Sequence, residues 1–188
     1  YSGYAWDLLP DLNHYRAHNW HCFQDSPVSR EDDLSDVRSP YVSLYTALGC
    51  PFHCSFCCVN SIFGTHGIRY WSIEKVLSWL HILSSEYKVR NIRIADELFV
   101  FNPKRVERFC DELINRDYGL NIWVYGRVDT IGRQLLRKMK AAGINWIALG
   151  IESACETVRR AVNKPIKTDI KRTVQRLQAH DISVVGNY

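Results

Sequence analysis

The sequence lacks any apolar run long enough to cross a membrane. Its longest uninterrupted apolar runs, such as Trp146 to Leu149, are far shorter than the roughly 18 residues that a bilayer helix requires. The opening residues also lack the basic segment and apolar stretch of a targeting signal. We therefore predict a soluble protein without a membrane span.

The sequence also lacks an excess of one charge. It has 24 Lys and Arg against 20 Asp and Glu, which gives a net charge of +4, and these residues are scattered over the predicted helices. Such a distribution predicts no nucleic-acid-binding surface. With 46% hydrophobic and 23% charged residues, the chain has the composition of a packed domain and is not expected to be disordered.

The cysteine distribution is unsuited to a disulfide framework. The number is odd, and four of the seven fall within nine residues. A reducing, cytoplasmic environment is the better interpretation. The cysteines are Cys22, Cys50, Cys54, Cys57, Cys58, Cys110 and Cys155.

Residues 1–40 show no sustained strand or helix periodicity. His14, His18, His21 and Cys22 have a spacing that resembles a metal site, but Tyr15 and Trp20 lie among them. We interpret residues 1–40 as a surface linker or lead-in that follows a further domain upstream.

From residue 40 onward, strand-like and helix-like segments alternate five times. Their near-continuous apolar strands predict an α/β fold with parallel strands and outer helices, either an open doubly wound sheet or a partial (β/α) barrel. The chain ends within the fifth strand, so we expect the natural polypeptide to continue. The predicted strands are 41–48, 91–100, 121–128, 145–151 and 182–188, and the helix starts are near Ser72, Asn102, Thr130, Thr157 and Thr168.

The loop after the first strand carries Cys50, Cys54 and Cys57 in the order C-x3-C-x2-C. Thiolates suit zinc or iron–sulfur clusters. Structural zinc normally takes four ligands in two pairs, and no second pair stands downstream. A four-iron cluster on three cysteines instead leaves one iron open to a substrate or cofactor. Cys58 and Cys110 are predicted to be packing residues, and Cys22 and Cys155 have no assigned role.

The spacing C-x3-C-x-aromatic-C after the first strand, with Phe56 as the aromatic residue, resembles the radical S-adenosylmethionine (radical SAM) superfamily. Three further segments resemble the branch that often carries an upstream cobalamin-binding domain: IADELFVFN (94–102), GRVDTI (126–131) and AGINWIALGIESACETVRRAVNK (142–164). This resemblance covers about residues 40–188. It implies a partial barrel of the radical SAM type, with residues 41–188 as a core domain that is incomplete at its C-terminus.

The resemblance implies that Cys50, Cys54 and Cys57 bind a [4Fe-4S] cluster whose open iron chelates S-adenosylmethionine. An electron from the reduced cluster would then cleave the cofactor to a 5′-deoxyadenosyl radical, which abstracts a substrate hydrogen. The electron donor would be a protein such as a flavodoxin or ferredoxin. The substrate is unknown, and cobalamin dependence stays open because no D-x-H-x-x-G signature is visible.

The resemblance also implies contacts to the cofactor. Phe56 would lie near the adenine, and Glu152 would contact the ribose or methionyl part. Asp96 and Glu97 occupy the place of a Gly-Gly-Glu type motif for the methionyl amino group, although the sequence here is Ala-Asp-Glu. Arg127 would face a carboxylate or form a salt bridge with Asp129.

Two other interpretations of the cysteine loop remain. One is a zinc-stabilised binding module, and the other is an iron–sulfur electron carrier without catalysis. The carrier would need a fourth cysteine ligand, for which Cys58, Cys110 and Cys155 are the nearby candidates.

Overall fold

The structure is a computed structural model that describes residues 3–18, 21, 35–64 and 66–188. Cys22 lies outside these residues. No helix in the described part of the chain is both long enough and apolar enough to span a bilayer. The helices are α1 (Ser35–Arg38), α2 (Val59–Phe63), α3 (Ile73–Ser85), α4 (Pro103–Arg116), α5 (Leu136–Ala141), α6 (Glu156–Ala161) and α7 (Ile170–Gln178). The strands are β1 (Tyr41–Leu44), β2 (Ala47–Leu48), β3 (Arg69–Tyr70), β4 (Asn91–Ile94), β5 (Asn121–Arg127), β6 (Ile144–Gly150) and β7 (Ser183–Asn187).

Five strands form one parallel sheet in the order β1-β4-β5-β6-β7. The strand order follows the chain order, so right-handed crossovers place the connecting helices on one face of the sheet. Ile92 pairs with Ile122 and Ile122 pairs with Ile144, and all three side chains are fully buried. The predicted α/β fold with parallel strands and outer helices is confirmed.

Alternate strand residues divide the sheet into two faces. On β5, Ile122 and Val124 join the apolar core shared with the helices. Trp123, Tyr125 and Arg127 alternate with them and therefore project from the opposite, inner face of the sheet. The carboxyl ends of the strands carry the inner-face residues of the site described below.

The first two strands are shorter than the sequence predicts. The predicted strand 41–48 leaves the parallel sheet after Leu44, and Ala47–Leu48 pairs antiparallel with Arg69–Tyr70. The reason is that the Asp96 carboxylate accepts the backbone N–H groups of Thr46 and Ala47. The predicted strand 91–100 likewise ends at Ile94 and is followed by a 3₁₀ turn at Phe99–Phe101.

The helix caps are largely as predicted. Ser72 accepts the N–H of Lys75 at the start of α3, and Asn102 accepts the N–H of Arg105 ahead of Pro103. The helix predicted from Thr130 begins later, at Leu136, because the chain first makes 3₁₀ turns at Val128–Thr130 and Arg133–Leu135.

The lead-in packs against the sheet and is not a surface linker throughout. Trp6 and Leu12 belong to the core, and His21 is buried with its ring against Trp123. The histidine prediction is therefore wrong for His21, because the amino ends of the strands offer this ring an apolar place.

Three asparagines form a ladder at the amino ends of adjacent strands. The Asn121 side chain donates to Asn91 Oδ1 at 3.0 Å, and the Asn145 side chain donates to Asn121 Oδ1 at 3.0 Å. The ladder also binds the lead-in, since Asn121 donates to the carbonyl of His21 and Asn91 to that of Val37. These residues attach the lead-in to the end of the sheet opposite the cysteine loop, while the Tyr4 hydroxyl is hydrogen-bonded to the backbone of Tyr45, directly after β1.

Candidate functional site

The cysteine loop begins at Gly49, whose backbone requires glycine. Its φ of +93° lies in the left-handed region, and a Cβ there would stand 2.4 Å from the carbonyl oxygen of Gly67. The Gly67 N–H donates to the Cys50 carbonyl, which closes the loop at its base. Ser55 N–H donates to the Val162 carbonyl, so the loop is also attached to the segment after α6.

An open cavity of about 190 Å³ lies between this loop and the carboxyl ends of the strands. This is where functional groups of parallel βα folds gather. The cavity brings together the three cysteines and the predicted contacts Phe56, Glu97, Arg127 and Glu152. Its lining also includes Phe52, Val59, Leu98, Tyr125, Gly126, Ala148, Gly150, Lys164 and Asn187.

The three cysteines that line the cavity are free thiols. Burial raises the pKa of the Cys50 thiol, and the neighbouring Cys57 and Cys54 thiols raise it further. Among the described residues, no three His, Cys, Asp or Glu side chains lie close enough together to hold a single metal ion. A four-iron cluster does not need that arrangement, because each thiolate binds a different iron atom. The donor set therefore fits a four-iron cluster.

The other cysteines have different surroundings. Cys58 is exposed at the start of α2, so its prediction as a packing residue is wrong, and it is not a cavity residue. Cys110 is fully buried, as predicted, and burial raises the pKa of its thiol to about 12. Cys155 is exposed, and backbone N–H groups of Val158 and Thr157 lower the pKa of its thiol.

The adjacent acids Asp96 and Glu97 point in different directions. Asp96 is buried, and its carboxylate accepts the Thr46 hydroxyl as well as the N–H groups of Thr46 and Ala47. Its oxygens are therefore used within the protein, and it does not line the cavity. Glu97 does line it, and burial together with the Asp96 charge raises the pKa of Glu97.

Arg127 is a buried cation at the carboxyl end of β5, only 4% exposed. Its Nε donates to Asp129 Oδ1 at 2.7 Å, which is the salt bridge considered from the sequence. The guanidinium also lies over the Phe52 ring, with 4.2 Å from Cζ to the centroid, and Nη1 donates toward Cys54 Sγ at 3.9 Å.

Glu152 and Lys164 form an ion pair in the cavity wall, with 2.5 Å between Lys164 Nζ and Glu152 Oε1. Glu152 has a left-handed φ of +65°, and its N–H donates to the Asn187 carbonyl. Gly150 leaves space for the pair, since a Cβ there would stand 2.5 Å from Lys164 Nζ. The Lys164 ammonium also lies 5.9 Å from the centroid of the Phe56 ring.

Lys164, Tyr125 and Asn187 are cavity residues that the sequence reasoning did not select. Lys164 is part of the segment 142–164 that carries the resemblance, and it is buried although lysine is rarely so. The only sequence signal for Asn187 as a cavity residue is its position at the carboxyl end of a predicted strand. Tyr125 lies two residues from both Trp123 and Arg127 on β5, so the strand period alone places it on their face of the sheet.

Comparison with known proteins identifies the family. Residues 44–188 match the radical SAM superfamily. An uncharacterized methyltransferase of Pyrococcus horikoshii is 29% identical over 75% of this chain and 31% of its own length. An anaerobic magnesium-protoporphyrin IX monomethyl ester cyclase of Rubrivivax gelatinosus is 34% identical over 72% of this chain and 25% of its own length. The chain thus spans about a quarter to a third of these curated relatives.

Solved structures agree with the fold. The radical SAM methyltransferase TsrM from Kitasatospora setae, with tryptophan substrate and a SAM analogue bound, superposes with a TM-score of 0.69. It is 18% identical and covers 86% of this chain and 33% of TsrM. Membership of the matched superfamily implies a [4Fe-4S] cluster and S-adenosylmethionine as cofactors. The chain belongs to the radical SAM superfamily.

Proposed function

We propose that this chain is the cofactor-binding part of a radical SAM enzyme, with Cys50, Cys54 and Cys57 as the ligands of a [4Fe-4S] cluster. The observation that carries the proposal is that these three thiols share one cavity with the ion pair of Glu152 and Lys164. Soft donors for iron thus lie beside hard, charged groups suited to an amino acid.

Cys50, Cys54 and Cys57 would hold the cluster, and when bound it would supply the electron for the reductive cleavage of S-adenosylmethionine. Three thiolate ligands would leave one iron of the cluster available to the amino acid part of this cofactor. Phe52 and Val59 add apolar surface to the cavity, which limits the access of water to the reacting atoms.

The charged residues of the cavity match the two charged groups on the α-carbon of the methionyl part. The Lys164 ammonium is suited to its carboxylate, and the carboxylates of Glu97 and Glu152 are suited to its amino group. Phe56 is 54% exposed and offers a ring face to the adenine. Asp96 is assigned a different role, as an anchor of the turn at Thr46 and Ala47.

The reaction of the whole protein is inferred from its relatives. Similarity to a methyltransferase and to a cyclase supports a methyl transfer or ring closure on an unidentified substrate. We infer that cobalamin takes part if the reaction is methyl transfer, and that an electron donor such as a flavodoxin or ferredoxin reduces the cluster.

Electron paramagnetic resonance tests the proposal. The protein is reconstituted anaerobically with iron and sulfide, reduced with dithionite, and measured with and without S-adenosylmethionine. We expect a [4Fe-4S] signal that changes when the cofactor is added. A cluster signal that ignores the cofactor would instead indicate an electron carrier, and a protein that retains zinc and no iron would indicate a binding module.

A further inference from the structure

The Arg127 guanidinium has four contacts within the protein. Three contacts hold its guanidinium in place: the Asp129 carboxylate, the Pro165 carbonyl and the face of the Phe52 ring. A fourth reaches Cys54 Sγ from Nη1. Two of its nitrogen atoms thus donate to Asp129 and Pro165, and the third donates toward the Cys54 sulfur.

We propose that Arg127 is a positioning residue that orients the Cys54 thiolate and raises the reduction potential of the cluster. This inference rests on the proposed function, because it requires Cys54 to be a cluster ligand. The planar guanidinium suits the role, since it donates several N–H bonds in fixed directions at once. Lysine, with one freely rotating ammonium, cannot reproduce the three hydrogen bonds and the stacking on Phe52 together.

The direction of the effect follows from charge. Reduction adds one electron, supplied by dithionite or by the protein donor, to a cluster that already carries three thiolates. A buried cation with an N–H directed at one of these sulfurs stabilises the more negative, reduced form. The loss of the Arg127 charge should therefore make the cluster harder to reduce.

Asp129 provides a change of opposite sign. Its carboxylate lies 2.7 Å from Arg127 Nε and partly neutralises the guanidinium. Asp129→Asn keeps the size and one acceptor oxygen but removes the negative charge. The cation is then less compensated, so the cluster should become easier to reduce. A role of Arg127 in folding alone would not produce shifts of opposite sign in these two variants.

The test is a redox titration of the reconstituted protein, followed by the cluster signal, for Arg127→Met and Asp129→Asn. Arg108→Met is the matched control, because Arg108 also forms an ion pair but lies exposed on α4. We expect Arg127→Met to lower the ratio of reduced to oxidised cluster about tenfold at a fixed potential, which is about 59 mV for one electron. Asp129→Asn should raise that ratio, and Arg108→Met should not change it.

Iron content and the response to S-adenosylmethionine are recorded in the same samples. If Arg127→Met binds less iron, Asp129→Asn decides the matter, because it retains the arginine. Unchanged reduction potentials in cluster-loaded Arg127→Met and Asp129→Asn would overturn this inference. If the cluster still responds to S-adenosylmethionine in these samples, the proposed function is unaffected by that result. A parent protein whose cluster ignores the cofactor would contradict the proposed function itself.

Discussion

Lys164 Nζ lies 2.5 Å from Glu152 Oε1 across a separation of 12 residues, and both side chains reach the same cavity as the three cysteines. The lysine is only 8% exposed, so its ammonium group meets Glu152 and the cavity rather than bulk water. A cation in such a place recognises an anion more strongly than an exposed lysine does, because little water screens it.

We therefore expect Lys164→Met to weaken S-adenosylmethionine binding about tenfold to a hundredfold, the size of one lost charge-assisted hydrogen bond. The measurement is a titration of the cluster signal with the cofactor. Lys167→Met serves as the control, since Lys167 is exposed three residues further along. Equal affinity in both variants would contradict the assignment of Lys164.

Gly150→Ala should act through the same ion pair. The added methyl group would meet Lys164 Nζ at 2.5 Å and Glu152 Oε1 at 2.9 Å, so the pair must move while the backbone need not. We expect a loss of cofactor affinity in a protein that still folds. In a double-mutant cycle, Gly150→Ala and Lys164→Met should be strongly non-additive, whereas independent effects would show that the glycine acts elsewhere.

The cysteine assignment predicts a contrast between neighbours. Cys54→Ala should abolish cluster loading, because two thiolates cannot hold the cluster in the same way. Cys58→Ala should load normally, since Cys58 is exposed at the start of α2 and is not a cavity residue. Iron content and visible absorption after anaerobic reconstitution measure both. Equal iron in the parent protein and Cys54→Ala would refute the ligand set.

Asp96 is expected to affect stability more than cofactor binding. Asp96→Ala leaves the N–H groups of Thr46 and Ala47 without their acceptor, which should cost about 2 to 4 kcal/mol of unfolding free energy. Asp96→Asn keeps one acceptor oxygen and should cost less. Denaturant unfolding of both variants, with cofactor affinity of Asp96→Asn measured alongside, tests this role. A large loss of affinity in Asp96→Asn would restore Asp96 as a cofactor contact.

His21 predicts how stability depends on pH. Burial lowers the pKa of this histidine to about 4, below its ordinary value of 6.5. Between these values the unfolded chain binds a proton that the folded chain does not, so stability falls as the pH is lowered through this window. We expect a loss of about 2 kcal/mol between about pH 7 and about pH 5, measured by denaturant unfolding.

His21→Leu removes the titrating group and keeps an apolar side chain at the site. The part of the pH dependence that belongs to His21 should disappear in this variant. His81→Leu is the control, because His81 is exposed on α3. An unchanged slope in His21→Leu would show that other groups cause the loss.

Local signals in the sequence located elements better than they located element ends. The caps at Ser72 and Asn102 depend on residues three positions away, so they are readable from the sequence. The end of β1 depends on Asp96, which lies 50 residues from Thr46, and no local pattern reports such a partner.

The candidate site shows the same division. The cysteine spacing is local, and Phe56, Glu97, Arg127 and Glu152 follow from the resemblance; the structure brings all of them to one cavity. The sequence does not indicate Lys164 as a cavity residue, because its position depends on how the segment after α6 packs against Gly150 and Glu152 at the end of β6. The burial of His21 was missed for a similar reason, since it depends on contacts with Tyr41 and Trp123 that are distant in sequence.

The asparagine ladder affects where Arg127 lies at the carboxyl end of the sheet. Asn91, Asn121 and Asn145 bind one another only when β4, β5 and β6 are aligned as observed. A slip of one residue in β5 would break these bonds and turn Arg127 from the inner face toward the helices. The asparagine ladder at the amino ends of the strands thus fixes the register of β5, and this register places Arg127 beside Cys54 at the carboxyl ends.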